Sequence, residues 1–235
     1  MTDRVQALRD LIAAPTTPWE STGAVLREVC HATTQALSAF GAGISVLTDD
    51  GTRGVYAATD PDSERLEELQ FVLGEGPCID AFAARRPVLI ADLEDGAVAR
   101  WPGYATALLA DGMRAVFAFP LQIGAARVGV MDVFRERAGP LTGHELPLAL
   151  SFADVAVEAL LNRHRDAGAL DGSATEIIRT PALFQAQGMV MVQLGVSLGE
   201  AFARLRAYAF AHDRRLDDVA RDIIERRLRL DRDLS

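Results

Sequence analysis

Apolar positions along this chain recur with two different periods, and the changes between them mark out its elements. Val25, Leu26, Val29 and Ala32/Thr33 repeat every three or four residues, one face of a helix that runs on toward Phe40. Two short runs follow at residues 43–47 and 54–58, rich in strand-forming residues and joined through Asp49-Asp50-Gly51, a hairpin signal. Residues 63–71 predict a helix, and Gly74-Glu75-Gly76-Pro77 is a turn that opens a second short one. A strand at 88–90 precedes a second hairpin, 114–120 with 126–134, which turns at Gly124. Residues 142–165 then predict a long closing helix whose stripe is Leu146, Leu150, Ala153, Val157 and Leu160/Leu161. That stripe suits packing on its own sheet or pairing with a second copy of the chain.

The last third changes character. Pro181 suits a first helical position, and Leu183, Ala186/Gln187, Val190 and Leu194 recur at helical spacing until Gly195 supplies a stop. Ser197 with Glu200 has the form of a capping box, and Leu198, Phe202, Leu205 and Ala209 line one face of the helix it starts. After a polar break at His212-Asp213, Leu216, Val219, Ala220, Ile223 and Ile224 repeat the pattern. Three such stripes can enclose one small core. Taken alone they describe a three-helix bundle, which a dimerisation tail would also be.

The chain therefore divides into a helix and linker at 1–17, with its break at Pro15-Thr16-Thr17-Pro18, a mixed domain at 18–165, a glycine-containing joint at 166–174 and a helical domain at 175–235. Charge follows the division. Residues 172–235 carry 10 Arg against 9 Asp and Glu; subtracting from the totals of 24 and 33 leaves 14 basic and 24 acidic groups before them. Lysine is absent, so every cation in the helical domain is an arginine. Arg204, Arg206, Arg214 and Arg215 fall near the end of its second helix and in the following turn. Guanidinium groups there can reach phosphates and stack on unpaired bases. The third helix starts Leu216-Asp217-Asp218, acidic where a recognition helix would meet duplex DNA, which disfavours a helix-turn-helix reading. Near-neutral charge is weak for a nucleic-acid binder, so binding has to be local and shape-specific or use two subunits.

Other chemistry is sparse. Cys30 and Cys78 form no disulfide or metal-ligand spacing, and no nucleophile–base order or phosphate-cradling loop appears, so neither catalysis nor a cofactor is expected. Acidic neighbours Glu75 and Asp80 oppose activation of the Cys78 thiol, while a helix N-terminus would act the other way; an inert buried thiol is expected. No basic n-region opens the chain and no stretch approaches the ~18 apolar residues of a membrane span. A soluble cytoplasmic protein is expected.

The helical domain resembles the ANTAR family. Ala186, Gly188, Met189 and Met191 match its first helix, Ala201, Phe202, Leu205 and Arg206 its second, and Arg214, Leu216, Val219 and Ala220 the turn into its third. The resemblance implies binding to RNA hairpins and antitermination of transcription, with Gly188, Arg204, Arg206, Arg214 and Arg215 as candidate contacts. Gly188 inside a helix costs about 1 kcal/mol relative to Ala, which suggests close approach by RNA or by a neighbouring helix. The mixed domain resembles the GAF family, on its element order, the phrase Leu73-Gly74-Glu75-Gly76-Pro77-Cys78-Ile79-Asp80-Ala81-Phe82 and the hairpin end Gly129-Val130-Met131-Asp132-Val133-Phe134. It implies an α+β fold, an antiparallel sheet with helices on both faces, and a sensory role. Many GAF domains bind a small molecule between sheet and overlying loops, here residues 74–112, with Cys78, Asp80 and Arg114 as the candidate lining. Some reduce methionine sulfoxide, which needs an attacking and a resolving cysteine that nothing here brings together. The combined expectation is a signal-responsive homodimeric regulator.

Overall fold

In the computed structural model the described residues are Gln6, 18–47, 53–167, 181–212 and 214–230. The first domain contains α1 (Pro18–Ala36), β1 (Gly41–Leu47), β2 (Arg53–Ala58), α2 (Pro61–Leu73), α3 (Pro77–Ala84), β3 (Val88–Ile90), α4 (Ala97–Arg100), α5 (Pro102–Ala110), β4 (Ala115–Ile123), β5 (Ala126–Arg135) and α6 (Glu145–Ala167). Three helices follow: α7 (Pro181–Leu194), α8 (Leu198–Ala211) and α9 (Leu216–Ile224). The five strands form one antiparallel sheet in the order β2-β1-β5-β4-β3.

Strand residues alternate between two cores, one on each face of the sheet. Ile44, Phe117, Phe119, Met131 and Val133 meet α1 and α6, and Cys30 belongs to that core. Val116, Ala118, Val130 and Phe134 point the other way, toward α2, α3 and α5, and Cys78 belongs there. This second core runs on without a break into Leu183, Phe202, Leu205, Leu216 and Ile223 of the last three helices. Each such side chain contributes about 1.5–3 kcal/mol when fully buried. The stripe on α6 is used within its own domain: Ala153, Val157 and Leu160 are buried beside α1 and the sheet, and Leu150 stays exposed.

Helix ends follow local chemistry. Asp60 caps α2 by accepting from Ser63 N at 2.8 Å, and Gly74 stops it at φ +75°, a conformation that glycine adopts without strain. Thr142 and Glu145 form a reciprocal capping box at the start of α6: Thr142 N donates to Glu145 Oε2 and Glu145 N to Thr142 Oγ1. At α8 only half of the expected box forms. Ser197 accepts from Glu200 N, while the Glu200 carboxylate turns along the helix toward Arg204.

The sequence reading missed α4 and α5. Residues 97–110 are short and apolar nearly all round, so no amphipathic period marks them, and Trp101-Pro102 separates the two helices. The Asp49-Asp50-Gly51 turn, nearly all of the predicted N-terminal helix and linker, and residues 168–180 of the joint region lie outside the described residues.

Candidate functional site

The four arginines singled out in the sequence all have acceptors, and two of these lie in the first domain. Arg215 makes a bidentate pair with Glu68 of α2, Nε at 3.1 Å and Nη2 at 3.0 Å, and approaches Glu64 at 3.5 Å. Arg206 donates through Nε to the carbonyl of Val72, at the C-terminal end of α2, at 2.9 Å. Its guanidinium lies against Gly74, where an added Cβ would sit 2.9 Å from Cζ. Arg214 turns inward to Asp222 of α9 at 2.6 Å, and Arg204 pairs along α8 with Glu200 at 3.7 Å. The pair with Glu68 holds Arg215 charged far above its ordinary range. Burial pushes the Glu68 carboxyl up, and Arg215 only partly offsets it. Glu64, Glu68 and Asp217 crowd around this arginine, and burial pushes Asp217 up as well.

Gly188 stands in open space: an added Cβ would meet nothing within 4 Å. The expected tight approach of a neighbouring helix is therefore absent. The residue instead lines a groove of about 710 Å³ between α7 and the segment after α9. Met189, Val192, Ile223 and Leu228 give the groove apolar walls, and Arg226 and Arg229 line it as well. Both arginines are exposed, and nothing in the local sequence pattern tells that they converge with α7.

The three candidate lining residues of a sensor pocket are not brought together. Asp80 pairs with Arg100 at 2.7 Å and accepts from Trp101 Nε1, and it is part exposed. Arg114 pairs with Asp92 at 3.1 Å and Glu94 at 2.9 Å, at the β3 side of the sheet. The backbone N–H of Glu94 and the Arg114 guanidinium hold Asp92 below its ordinary value. Glu75 is likewise engaged, accepting from Gly103 N and Tyr104 N at the start of α5.

Cys78 alone enters a buried polar cluster, with Glu67 and Gln70 of α2, Ser45 of β1, Asp132 of β5 and Tyr104 of α5. Ser45 donates to Glu67 Oε2 at 2.6 Å; Gln70 donates to Asp132 Oδ2 at 2.6 Å and accepts from Cys78 N at 2.8 Å. Gly43, which faces Asp132 across the sheet, makes room for this: a Cβ there would lie 2.6 Å from Glu67 Oε1. Burial and the Asp132 charge push Glu67 well up, and burial pushes Asp132 up to about 7. Glu67 and Asp132 interact directly, yet Glu67 Oε1 and Asp132 Oδ1 each lack a donor. Two carboxylate oxygens can meet only through a proton or a cation. Tyr104 Oη, fully buried, also has no partner, and burial followed by the charges of Asp132, Glu67 and Cys78 pushes its pKa far up. The sequence carried a signal only for part of this cluster, Cys78 and Asp132, while the inward face of α2 is seen in the structure. Ser63, Leu66, Glu67 and Gln70 share one buried helical face, and Asp132 is a lone acid among the apolar residues 128–134.

Two known families match the chain. A GAF domain model matches residues 20–160, more than half of the chain, and an ANTAR domain model matches residues 181–224. The chain belongs to the GAF family and carries a C-terminal ANTAR domain. No curated protein matches it. Solved structures that resemble the GAF domain include the GAF domain of a phosphoenolpyruvate-protein phosphotransferase from Acinetobacter (11% identity, 73% of this chain and 96% of that one, TM-score 0.53). The GAF domain of the same kind of enzyme from Coxiella burnetii is similar (17% identity, 72% and 96%, TM-score 0.52). So is a free methionine-R-sulfoxide reductase from Neisseria meningitidis in complex with its substrate (15% identity, 70% and 90%, TM-score 0.51). At these identities the likeness shows the fold.

An ANTAR domain implies RNA binding and antitermination, and a GAF domain implies a sensory input. The GAF–ANTAR architecture is typical of non-enzymatic regulators. The two cysteines of this GAF domain lie in cores on opposite faces of the sheet, so no cysteine pair is in place for thiol exchange. No described helix is long and apolar enough to cross a membrane.

Proposed function

We propose that this protein is a signal-responsive antitermination regulator that binds RNA hairpins through its ANTAR domain, and that its GAF domain controls access to the binding arginines. The observation that carries this reading is the seating of Arg206 and Arg215 on GAF helix α2. Glu64 and Glu68 place carboxylates where RNA would place phosphates, and the Val72 carbonyl occupies the donor of Arg206. The conformation described is then the resting one, and a signal that loosens α2 frees both guanidinium groups. The groove beside Gly188 supplies a second contact, with apolar walls for an unpaired base and Arg226 and Arg229 for its flanking phosphates. Residues 175–235 act as the RNA-binding unit and 18–165 as the sensor. A homodimer would double the basic surface of a domain that is near neutral on its own.

The test is binding at one fixed salt concentration to an RNA with two tandem short-loop hairpins, to the same RNA with scrambled loops and to a duplex DNA of equal length. Loop-dependent RNA binding that is lost in Arg214→Ala/Arg215→Ala supports the reading. Preference for duplex DNA would replace it with a DNA-binding regulator, and absence of binding to all three, also by the isolated tail, with a dimerisation tail.

A further inference from the structure

In the buried cluster of the GAF core Cys78 hydrogen-bonds Asp132, yet Glu67 Oε1, Asp132 Oδ1 and Tyr104 Oη have no partner. Glu67, Cys78 and Asp132 each offer one ligand atom, and the three atoms lie within 4.8 Å of one another. The hydrogen-bond donors to the two carboxylates from Ser45 and Gln70 are neutral. One shared proton would join Glu67 to Asp132 and still leave the Tyr104 hydroxyl without a partner inside the core. A buried polar group left without a partner destabilises the fold, because it loses its water hydrogen bonds and gains none in return. A dication among them would engage one carboxylate oxygen of each acid and the sulfur, with the unpartnered Tyr104 hydroxyl buried in the same core.

We propose that Glu67, Cys78 and Asp132 bind a divalent transition-metal ion of the zinc class, with Tyr104 closing the fourth position. Carboxylate oxygens at about 2.0–2.2 Å and a thiolate at about 2.3 Å from one tetrahedral ion stand about 3.3–3.7 Å apart. The three ligand atoms, now within 4.8 Å of one another, would close by up to about 1 Å around the ion. The thiolate selects zinc-like ions over magnesium or calcium, whose preferred ligands are all oxygen. Binding displaces the thiol proton and the proton shared by the carboxyls, so it releases acid. Three elements supply the ligands, α2, the start of α3 and β5, so the ion would tie the helix that carries the ANTAR domain to the sheet. The assignment of the metal site does not depend on RNA binding.

The experiment is an anaerobic titration of the chelator-stripped full chain with Co²⁺, followed by Zn²⁺. One Co²⁺ per chain is expected, with a thiolate-to-cobalt band in the near ultraviolet that Zn²⁺ abolishes. Cys78→Ser should remove the band and Asp132→Asn should weaken binding by about tenfold or more, whereas Cys30→Ser, on the opposite face, should keep it. Absence of the band in wild type, or its persistence in Cys78→Ser, overturns the assignment. Should the variants fail to fold, wild type still reports: its melting temperature rises with Zn²⁺ concentration if the site exists, and an unchanged value refutes it.

Discussion

Charge reversal at Glu68 should open the ANTAR domain. Glu68 is a GAF residue with its side chain only 12% exposed, and it receives both donors of Arg215, which is 40% exposed. Glu68→Arg removes two charge-assisted hydrogen bonds and sets a guanidinium against a guanidinium, with Glu64 and Asp217 as the remaining nearby carboxylates. The lost attraction is worth about 1 kcal/mol for a pair exposed on one side. The repulsion adds about 1–2 kcal/mol, the lower part of the Coulomb range at 4 Å, because Arg215 can swing toward water. A total of about 2–3 kcal/mol corresponds to about 30–150-fold in the docking equilibrium. The two halves of the native pair differ in sign: pairing favours the charge on Arg215, whereas burial works against the charge on Glu68. The neutral Glu68→Gln loses the attraction and the desolvation cost together, so it should shift docking less than the reversal. The assay is RNA affinity at fixed salt, together with the radius of gyration from small-angle scattering. RNA affinity should rise by up to the reciprocal of the open fraction in wild type. The swapped pair Glu68→Arg/Arg215→Glu should restore the compact state without restoring RNA binding. A folded Glu68→Arg protein with wild-type compactness and wild-type RNA affinity would refute control by release.

Other perturbations test single features. Gly188→Ala should stabilise the ANTAR domain by about 1 kcal/mol in a melting experiment, since the site is open and helical, while Gly188→Leu should weaken RNA binding by filling the groove. Gly43→Ala should destabilise the GAF domain by about 1–3 kcal/mol in denaturant titration, because its Cβ would strike Glu67. Burial pushes the Glu145 carboxyl up, but the Thr142 N–H and hydroxyl and the Arg135 guanidinium outweigh it, so it lies below its ordinary value. A lowered carboxyl contributes stability that is full above the ordinary glutamate value and lost as pH falls through the lowered one. Wild type should therefore lose melting temperature across that acid window more steeply than Glu145→Gln.

Periodicity located every strand and most helices because those elements place one apolar face on a core, which the spacing of Val25, Leu26 and Val29 or of Leu216, Val219 and Ile223 records directly. It failed at residues 97–110, where Tyr104, Ala105 and Leu108 are all buried and little polar face remains to set a phase. The arginines of the ANTAR domain were visible as a cluster, but their partners were not. Glu68 lies 147 residues from Arg215 and Val72 lies 134 from Arg206, distances that local pattern does not span. Cys78 was visible and Glu67 was not, because a glutamate in an exposed-looking helix gives no local sign that its face is the one turned inward.

Helix α2 joins these observations into one mechanism. Its inward face carries Glu67 and Gln70 into the buried cluster, and its outward face carries Glu64 and Glu68 to Arg215. Its last turn offers the Val72 carbonyl to Arg206, and its stop, Gly74, begins the turn that leads to Cys78. A rigid helix cannot move one face without moving the other. Anything that draws Glu67 toward Asp132 and Cys78 must also shift Glu68 and Val72 relative to the ANTAR arginines. An ion or ligand binding in the core with different affinity for the docked and open forms changes their ratio by that difference and by no more. The roughly 1 kcal/mol assigned to the Arg215–Glu68 attraction is within reach of a modest difference of this kind. On the proposed reading the sensor needs only a displacement of α2 sufficient to break the three hydrogen bonds that Arg206 and Arg215 make to it.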